Sequence, residues 1–204
     1  MITIVDYGLG NLSSIKNMLR RLGHHTQISS DQEIIGAADK LILPGVGAFD
    51  NGMRNIRSKG LEEVLRRKAL GEQVPILGIC LGMQLLFEGS EEGTEKGLGW
   101  IKGRAVRFKF DPEHGALKVP HMGWNLVTPR GDSPLVQGFL PDMRFYFVHS
   151  YHVICDDPSD VLLTADYGLK VVAAVRRGNI MGTQFHPEKS HKYGMILLQN
   201  FAKM

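Results

Sequence analysis

The chain has 204 residues, 43% of them apolar, enough to bury one sizeable core, so its length predicts a single domain over 1–204 with no linker. Its 24 Lys and Arg against 21 Asp and Glu leave a formal net charge of +3 with no run of five or six like charges, which argues against a nucleic-acid arm. No apolar stretch reaches the roughly 18 residues of a membrane span, and residues 1–11 (MITIVDYGLGN) lack the basic start, apolar segment and cleavage site of a secretory signal. A cytoplasmic chain is expected, with no membrane or nucleic-acid partner and with Cys80 and Cys155 reduced.

Residues 1–5 form a short β-rich run, and Asn11 is placed to cap a helix on which Leu12, Ile15, Met18, Leu19 and Leu22 recur before Gly23 stops it. A weak strand near 26–29 follows, then a helix capped by Asp31, then a buried strand at 40–43 that ends in Pro44-Gly45-Val46-Gly47. Phe49, Met53 and Ile56 fit one helix face; Leu61, Val64 and Leu65 fit another, which Gly71 ends. The run VPILGI at 74–79 is apolar on both faces, as a strand covered by helices on each side must be, and 81–87 reads as helix. Strands alternating with helices predict a three-layer α/β fold with a mainly parallel central sheet. The second half is richer in strands, at 104–110, 144–148, 170–175 and 179–185, some of them expected to extend the sheet antiparallel. Residues 88–99 read as an exposed loop, and 193–203 as a closing helix with Ile196, Leu197 and Phe201 on one face.

Gly78-Ile79-Cys80-Leu81-Gly82 falls at the junction between predicted strand and helix. Such a turn lifts a nucleophile above the sheet edge, with small residues relieving the crowding on both sides. The N–H of Leu81 points at a developing oxyanion, and a helix start favours thiolate over thiol. From the elbow alone, a buried small hydrophobe remains the competing reading, since that is what most free cysteines are. His186 follows a strand run, and Pro187 biases it toward extended backbone, in which residues 186 and 188 project to the same side. Glu188 then accepts from one ring nitrogen of His186 and leaves the other for Cys80, a triad suited to acyl transfer through a thioester. An exposed loop histidine beside a glutamate is the bland reading of that pair.

Together, PGVG at 44–47, GICLGMQLL at 78–86 and QFHPEKS at 184–190 resemble the class I, triad-type glutamine amidotransferase family. The resemblance implies a flavodoxin-like fold and L-glutamine as substrate, with glutamate and ammonia as products. It implies an oxyanion site at Leu81 with a second N–H from Val46-Gly47, whose direction changes by a peptide flip when the partner's ligand arrives. It also implies substrate contacts from Gly47, Gln84, Glu92 and the backbone around His149, Ser150 and Tyr151. Within that family, DYGLGNLSS at 6–14, PHMGWN at 120–125 and YFVHSY at 146–151 look like the branch whose ammonia goes to a (β/α)8-barrel cyclase. That cyclase makes imidazole glycerol phosphate for histidine synthesis, and the two subunits form a heterodimer. The implied partner face carries Asn11, His121, Met122, Gly123, Trp124, Asn125 and Lys189. From residue chemistry alone, Met122 and Trp124 stay divided between core packing and interface.

Gly8-Leu9-Gly10 after a strand invites a dinucleotide reading, but Ser13 stands where the third glycine is required. The histidine pairs at 24/25, 149/152 and 186/191 show no compact metal-ligand spacing, so no metal or cofactor is expected. Two alternatives share the triad: a stand-alone hydrolase of glutamyl compounds, and a duplicated subunit supplying ammonia to another acceptor, such as a surface-polysaccharide sugar. A non-catalytic interaction subunit is a third alternative, against which the retained Cys80 stands.

Overall fold

The structure is a computed structural model that describes residues 1–110 and 117–204. Its first half alternates strands with helices, two of them between the third and fourth strands: β1 (Ile2–Val5), α1 (Leu12–Arg21), β2 (Thr26–Ser29), α2 (Gln32–Gly36), β3 (Lys40–Gly45), α3 (Phe49–Ser58), α4 (Leu61–Arg66), β4 (Ile76–Cys80) and α5 (Leu81–Leu85). The second half holds β5 (Gly103–Arg107), β6 (His121–Leu126), β7 (Thr128–Pro129), β8 (Arg144–His149), β9 (Tyr151–Cys155), β10 (Val161–Asp166), β11 (Lys170–Arg177), β12 (Ile180–Thr183) and α6 (His191–Lys203).

The main sheet runs β2-β1-β3-β4-β12-β11-β10-β7. Pairings from β2 through β12 are parallel, and those from β12 through β7 are antiparallel. Period-two alternation sends Leu41, Leu43 and Ile76 into a core with α2–α5, and Ile4, Ile42, Leu77 and Ile79 into a second core with α1 and α6. This is the α/β fold expected, with helices on both faces. In α6 the fully buried apolar side chains are Leu197, Leu198 and Phe201, while Ile196, expected among them, is only partly buried. Each fully buried side chain of this size contributes on the order of 1.5–3 kcal/mol.

One local expectation holds and others change. Asp31 caps α2 through its carboxylate, which accepts from the N–H groups of Glu33 (2.8 Å) and Ile34 (3.0 Å). Asn11 makes no side-chain cap for α1; its backbone angles (φ −96°, ψ 61°) are not those of a capping residue, and only its carbonyl accepts, from Ile15 N–H at 3.3 Å. The strand expected over 104–110 stops at Arg107, because Phe108 turns into an aromatic cluster with His152 (4.8 Å) and His149 (5.2 Å). Neither β5 nor β8 joins the main sheet: β5 pairs with β9, and β8 with β6, in two small separate sheets. Periodicity marks a strand but carries no information about its partner. Among the described residues, no helix is long and apolar enough to cross a membrane.

The register of the parallel strands positions the site. Gly45 lies opposite Cys80 across β3 and β4, and Thr183 lies opposite Ile79 across β12 and β4. The carboxyl ends of these three strands therefore deliver PGVG, Cys80 and the segment from Gln184 to one edge, where parallel α/β sheets place ligands.

Candidate active site

β4 passes into α5 with no intervening residue, and the turn falls on Cys80 itself at φ +53°, ψ −109°. A non-glycine residue there is strained by about 1–3 kcal/mol and persists only when its surroundings hold it. Those surroundings are tight. A Cβ on Gly78 would lie 2.6 Å from the Gly82 carbonyl oxygen, and one on Gly82 would strike the Leu43 carbonyl of β3. Close backbone approach is thus the reason for glycine on both sides of the cysteine. Cys80 and Cys155 are both free thiols.

His186 continues from β12 in extended backbone, but Pro187–Lys189 form one 3₁₀ turn. Glu188 therefore reaches His186 by the turn and not along an extended segment, as the sequence led us to expect; the proline starts the turn as well as restraining His186. Glu188 Oε1 accepts from His186 Nδ1–H at 2.8 Å, with both side chains 1% exposed. Nε2 of His186 is buried without a well-formed hydrogen bond, and Cys80 lies close enough to shift its titration. Burial opposes charge on the ring, but the contacts with Cys80 and Glu188 outweigh it and push the His186 pKa up to about 10. An imidazolium held between a carboxylate and a sulfur is the form that protonates a departing amine.

In front of Cys80 opens a cleft of about 210 Å³, lined by Val46, Gly47, Leu81, Gln84, Glu92, Pro120, Val148, His149, Ser150 and Tyr151. The residues expected at the oxyanion and substrate positions thus come together on one cavity, whereas His186 and Glu188 are buried outside its lining. Gly47 holds φ +123°, and a Cβ there would meet nothing closer than 3.9 Å, so glycine serves backbone conformation and not space. Glu92 Oε2 accepts from Phe49 N–H at 2.9 Å, which leaves Oε1 for the cleft. A larger hollow of about 440 Å³, with Pro75, Asn179, Met181 and Lys203 on its walls, contains none of these residues.

Two residues that the sequence did not single out touch the site. Tyr7, fully buried, donates its hydroxyl to the Pro44 carbonyl; burial, with the nearby Cys80, raises its pKa. Gln184, also fully buried, donates Nε2–H to Cys80 Sγ at 3.6 Å. Both stand inside stretches quoted for the family resemblance, yet nothing in periodicity marks them.

A histidine pair borders the cleft. His149 Nδ1 lies 2.7 Å from the Tyr151 carbonyl, which only accepts, so that nitrogen carries the proton and Nε2 is an acceptor. His121 Nδ1, 2.9 Å away, must then donate to it, and Asn125 Nδ2 donates to His121 Nε2 at 3.2 Å. Burial pushes His121 down to about 4 and His149 down to about 3. Both rings are neutral when folded, whereas in the unfolded chain they take up protons below pH about 6.5. Their contribution to stability is complete above pH about 6.5 and is lost as pH falls toward 4. The melting temperature is expected to drop between pH 6.5 and 4.5, by about 2–4 °C for each kcal/mol lost at this chain length. His186 acts in the opposite sense, its stabilisation being lost as pH rises from about 6.5 toward about 10. A calorimetric profile that stays flat down to pH 4.5 contradicts the neutral pair.

Of the residues expected at a partner face, Met122 (59% exposed) and Trp124 (45%) point outward from β6, with Leu126 (46%) beside them. Trp124 stacks on His191 at 5.4 Å, and Lys189 Nζ sits 5.8 Å from the Tyr146 ring centre. Asn11 and Asn125 are half-buried, Lys189 is exposed, and His121 turns inward. Among the described residues, no group of three or more His, Cys, Asp or Glu is gathered as metal ligands would be.

Residues 3–204 match the family model described as glutamine amidotransferase class-I. The chain is 51% identical over 203 residues to the imidazole glycerol phosphate synthase subunit HisH 2 of Methanococcus maripaludis, covering 100% of this chain and 99% of that one. It is 50% identical over 204 residues to the subunit of the same name from Pseudomonas aeruginosa, covering both chains fully. Among solved structures, it is similar to a glutamine amidotransferase at a TM-score of 0.76 with 19% identity, both chains fully covered. It is also similar to PurLQS from Thermotoga maritima, at a TM-score of 0.73 with 18% identity over 99% of this chain and 97% of that one. At these identities the solved structures speak to fold alone.

Proposed function

Since the chain belongs to the class-I glutamine amidotransferase family, we propose that it is the glutaminase subunit of an imidazole glycerol phosphate synthase, one domain over 1–204 in a cytoplasmic heterodimer with a (β/α)8-barrel cyclase. The observation that carries this reading is Cys80, held at φ +53° in the lining of the cleft with the His186–Glu188 pair buried against it. Identity of 50–51% to the HisH 2 subunits, over the full chain, supports the pathway.

In this mechanism the Cys80 thiolate attacks the carboxamide carbon of L-glutamine. The oxyanion is held by Leu81 N–H and an N–H from Val46-Gly47. His186 gives its proton to the leaving nitrogen, ammonia departs, and a γ-glutamyl thioester remains on Cys80. Water, deprotonated by His186, then attacks the thioester to release glutamate and regenerate the pair. Glu92 Oε1 receives the substrate ammonium, and Gln84, Gly47 and the backbone of His149, Ser150 and Tyr151 complete the pocket. Side chains, backbone donors and water suffice for every step, and no cofactor is invoked. Met122 and Trp124 anchor the cyclase, with Asn11, Asn125 and Lys189 around them; large exposed aromatic and sulfur side chains are suited to that role. His121 supports the same strand from its inner side.

The test is ammonia release from glutamine by the chain alone, with the cyclase, and with the cyclase plus its nucleotide ligand. Turnover that rises with the complete assembly supports the synthase reading, and full turnover by the isolated chain favours a stand-alone hydrolase. Glu188→Gln is expected to lower kcat by roughly 10²–10⁴-fold, the range of positioned acid–base catalysis, and a kcat within twofold of the parent contradicts the triad. A second reading keeps the chemistry and changes the acceptor: both of these relatives carry the number 2 in their names, which fits a duplicated glutaminase. Identifying the co-purifying barrel and the molecule it aminates separates the two.

A further inference from the structure

We propose that Gln184 is a catalytic residue whose side-chain amide donates a hydrogen bond to the Cys80 sulfur and stabilises its thiolate. The inference rests on Cys80 being the nucleophile, but it adds a group outside the triad. Gln184 is the residue after β12, whose register with β4 sets Thr183 against Ile79. The next residue along is therefore brought level with Cys80. Its side chain is fully buried, and Nε2 stands 3.6 Å from Sγ.

The direction of that amide follows from its neighbours. Gln84 approaches the Tyr151 carbonyl at 3.2 Å, and a carbonyl only accepts, so the group on Gln84 facing it is the NH₂. The same NH₂ lies 3.0 Å from the Gln184 amide, whose facing atom must then be the oxygen. With Oε1 held by Gln84, the NH₂ of Gln184 is left toward Cys80. Reversing Gln184 would oppose two donors on one side and place an oxygen lone pair against the sulfur on the other. The Tyr151 carbonyl that begins this chain also accepts from His149 Nδ1–H at 2.7 Å, so it is itself fixed from both sides.

A buried amide donor beside a sulfur favours the charged form, because hydrogen bonds to ions are about twice as strong as those between neutral groups. A glutamine present only to fill space would have no reason to present its donor to the thiol.

Gln184→Met retains length and volume while removing the donor. Alkylation of Cys80 by iodoacetamide, followed by mass spectrometry across pH 5–10, reads the thiolate directly. The variant is expected to have its alkylation midpoint raised by about one pH unit, so that it alkylates about tenfold more slowly at pH values below both midpoints, and to lose kcat in parallel while KM for glutamine changes by less than about twofold. If Gln184→Met does not fold, Gln184→Glu holds the shape and sets a carboxylate against the sulfur, with a larger rise of the midpoint expected. An unchanged midpoint in the folded variant overturns the proposal, as does a loss of activity expressed in KM alone. Failure of the underlying reading looks different: parent glutaminase turnover that survives complete alkylation of Cys80 removes the nucleophile itself.

Discussion

Cys80→Ala is expected to bring ammonia release from glutamine down to background, a loss of roughly 10⁴-fold or more, as for removal of other triad nucleophiles. Glutamine binding should change little, because the other residues that line the cleft are intact. Calorimetric titration of the inactive protein with glutamine, beside an ammonia assay, separates the two effects. Turnover within tenfold of the parent would sink the thioester mechanism. A companion variant distinguishes chemistry from strain. Cys80 occupies φ +53°, where a side chain is disfavoured and glycine is not, so Cys80→Gly should be equally inactive yet more stable than Cys80→Ala by about 1 kcal/mol.

Gly82→Ala should damage the fold more than any surface change. The added Cβ strikes the Leu43 carbonyl, which is part of β3, and neither partner is a side chain that can rotate away. Relief requires β3 and α5 to separate, opening the packing between the PGVG segment and the elbow. A loss of about 4 kcal/mol or more is expected, a large share of the roughly 5–15 kcal/mol that holds a domain together. Urea denaturation reads it directly, with Gly131→Ala as control: a Cβ there meets nothing within 4 Å, and a change within about 0.5 kcal/mol is expected. Comparable midpoints for the two variants would show that the contact relaxes cheaply.

The two glycines show how far the linear chain is legible. Their spacing around Cys80 announced an elbow, and the structure supplies the reason, a backbone-to-backbone approach that leaves no room for a methyl group. The order of strands and helices in the first half was also readable, since apolar periods of two and of three to four residues are local properties. Proximity in the chain likewise made His186 and Glu188 partners, although the route is a 3₁₀ turn where an extended segment was expected. By contrast, the assignment of β5 and β8 to small separate sheets was not readable, because both strands have the alternation of a main-sheet strand and differ only in their partners.

By itself, then, the sequence determined the α/β class, the elbow and the chemical identity of the Cys80, His186 and Glu188 groups, all of which depend on residues close together in the chain. Only the tertiary structure decided that Gly45 stands opposite Cys80, that Gln184 turns an amide donor to its sulfur, and that His121 faces inward to His149. Those relations depend on strand register and on hydrogen-bond direction between residues 28 to 104 positions apart, and neither leaves a trace in local composition or periodicity.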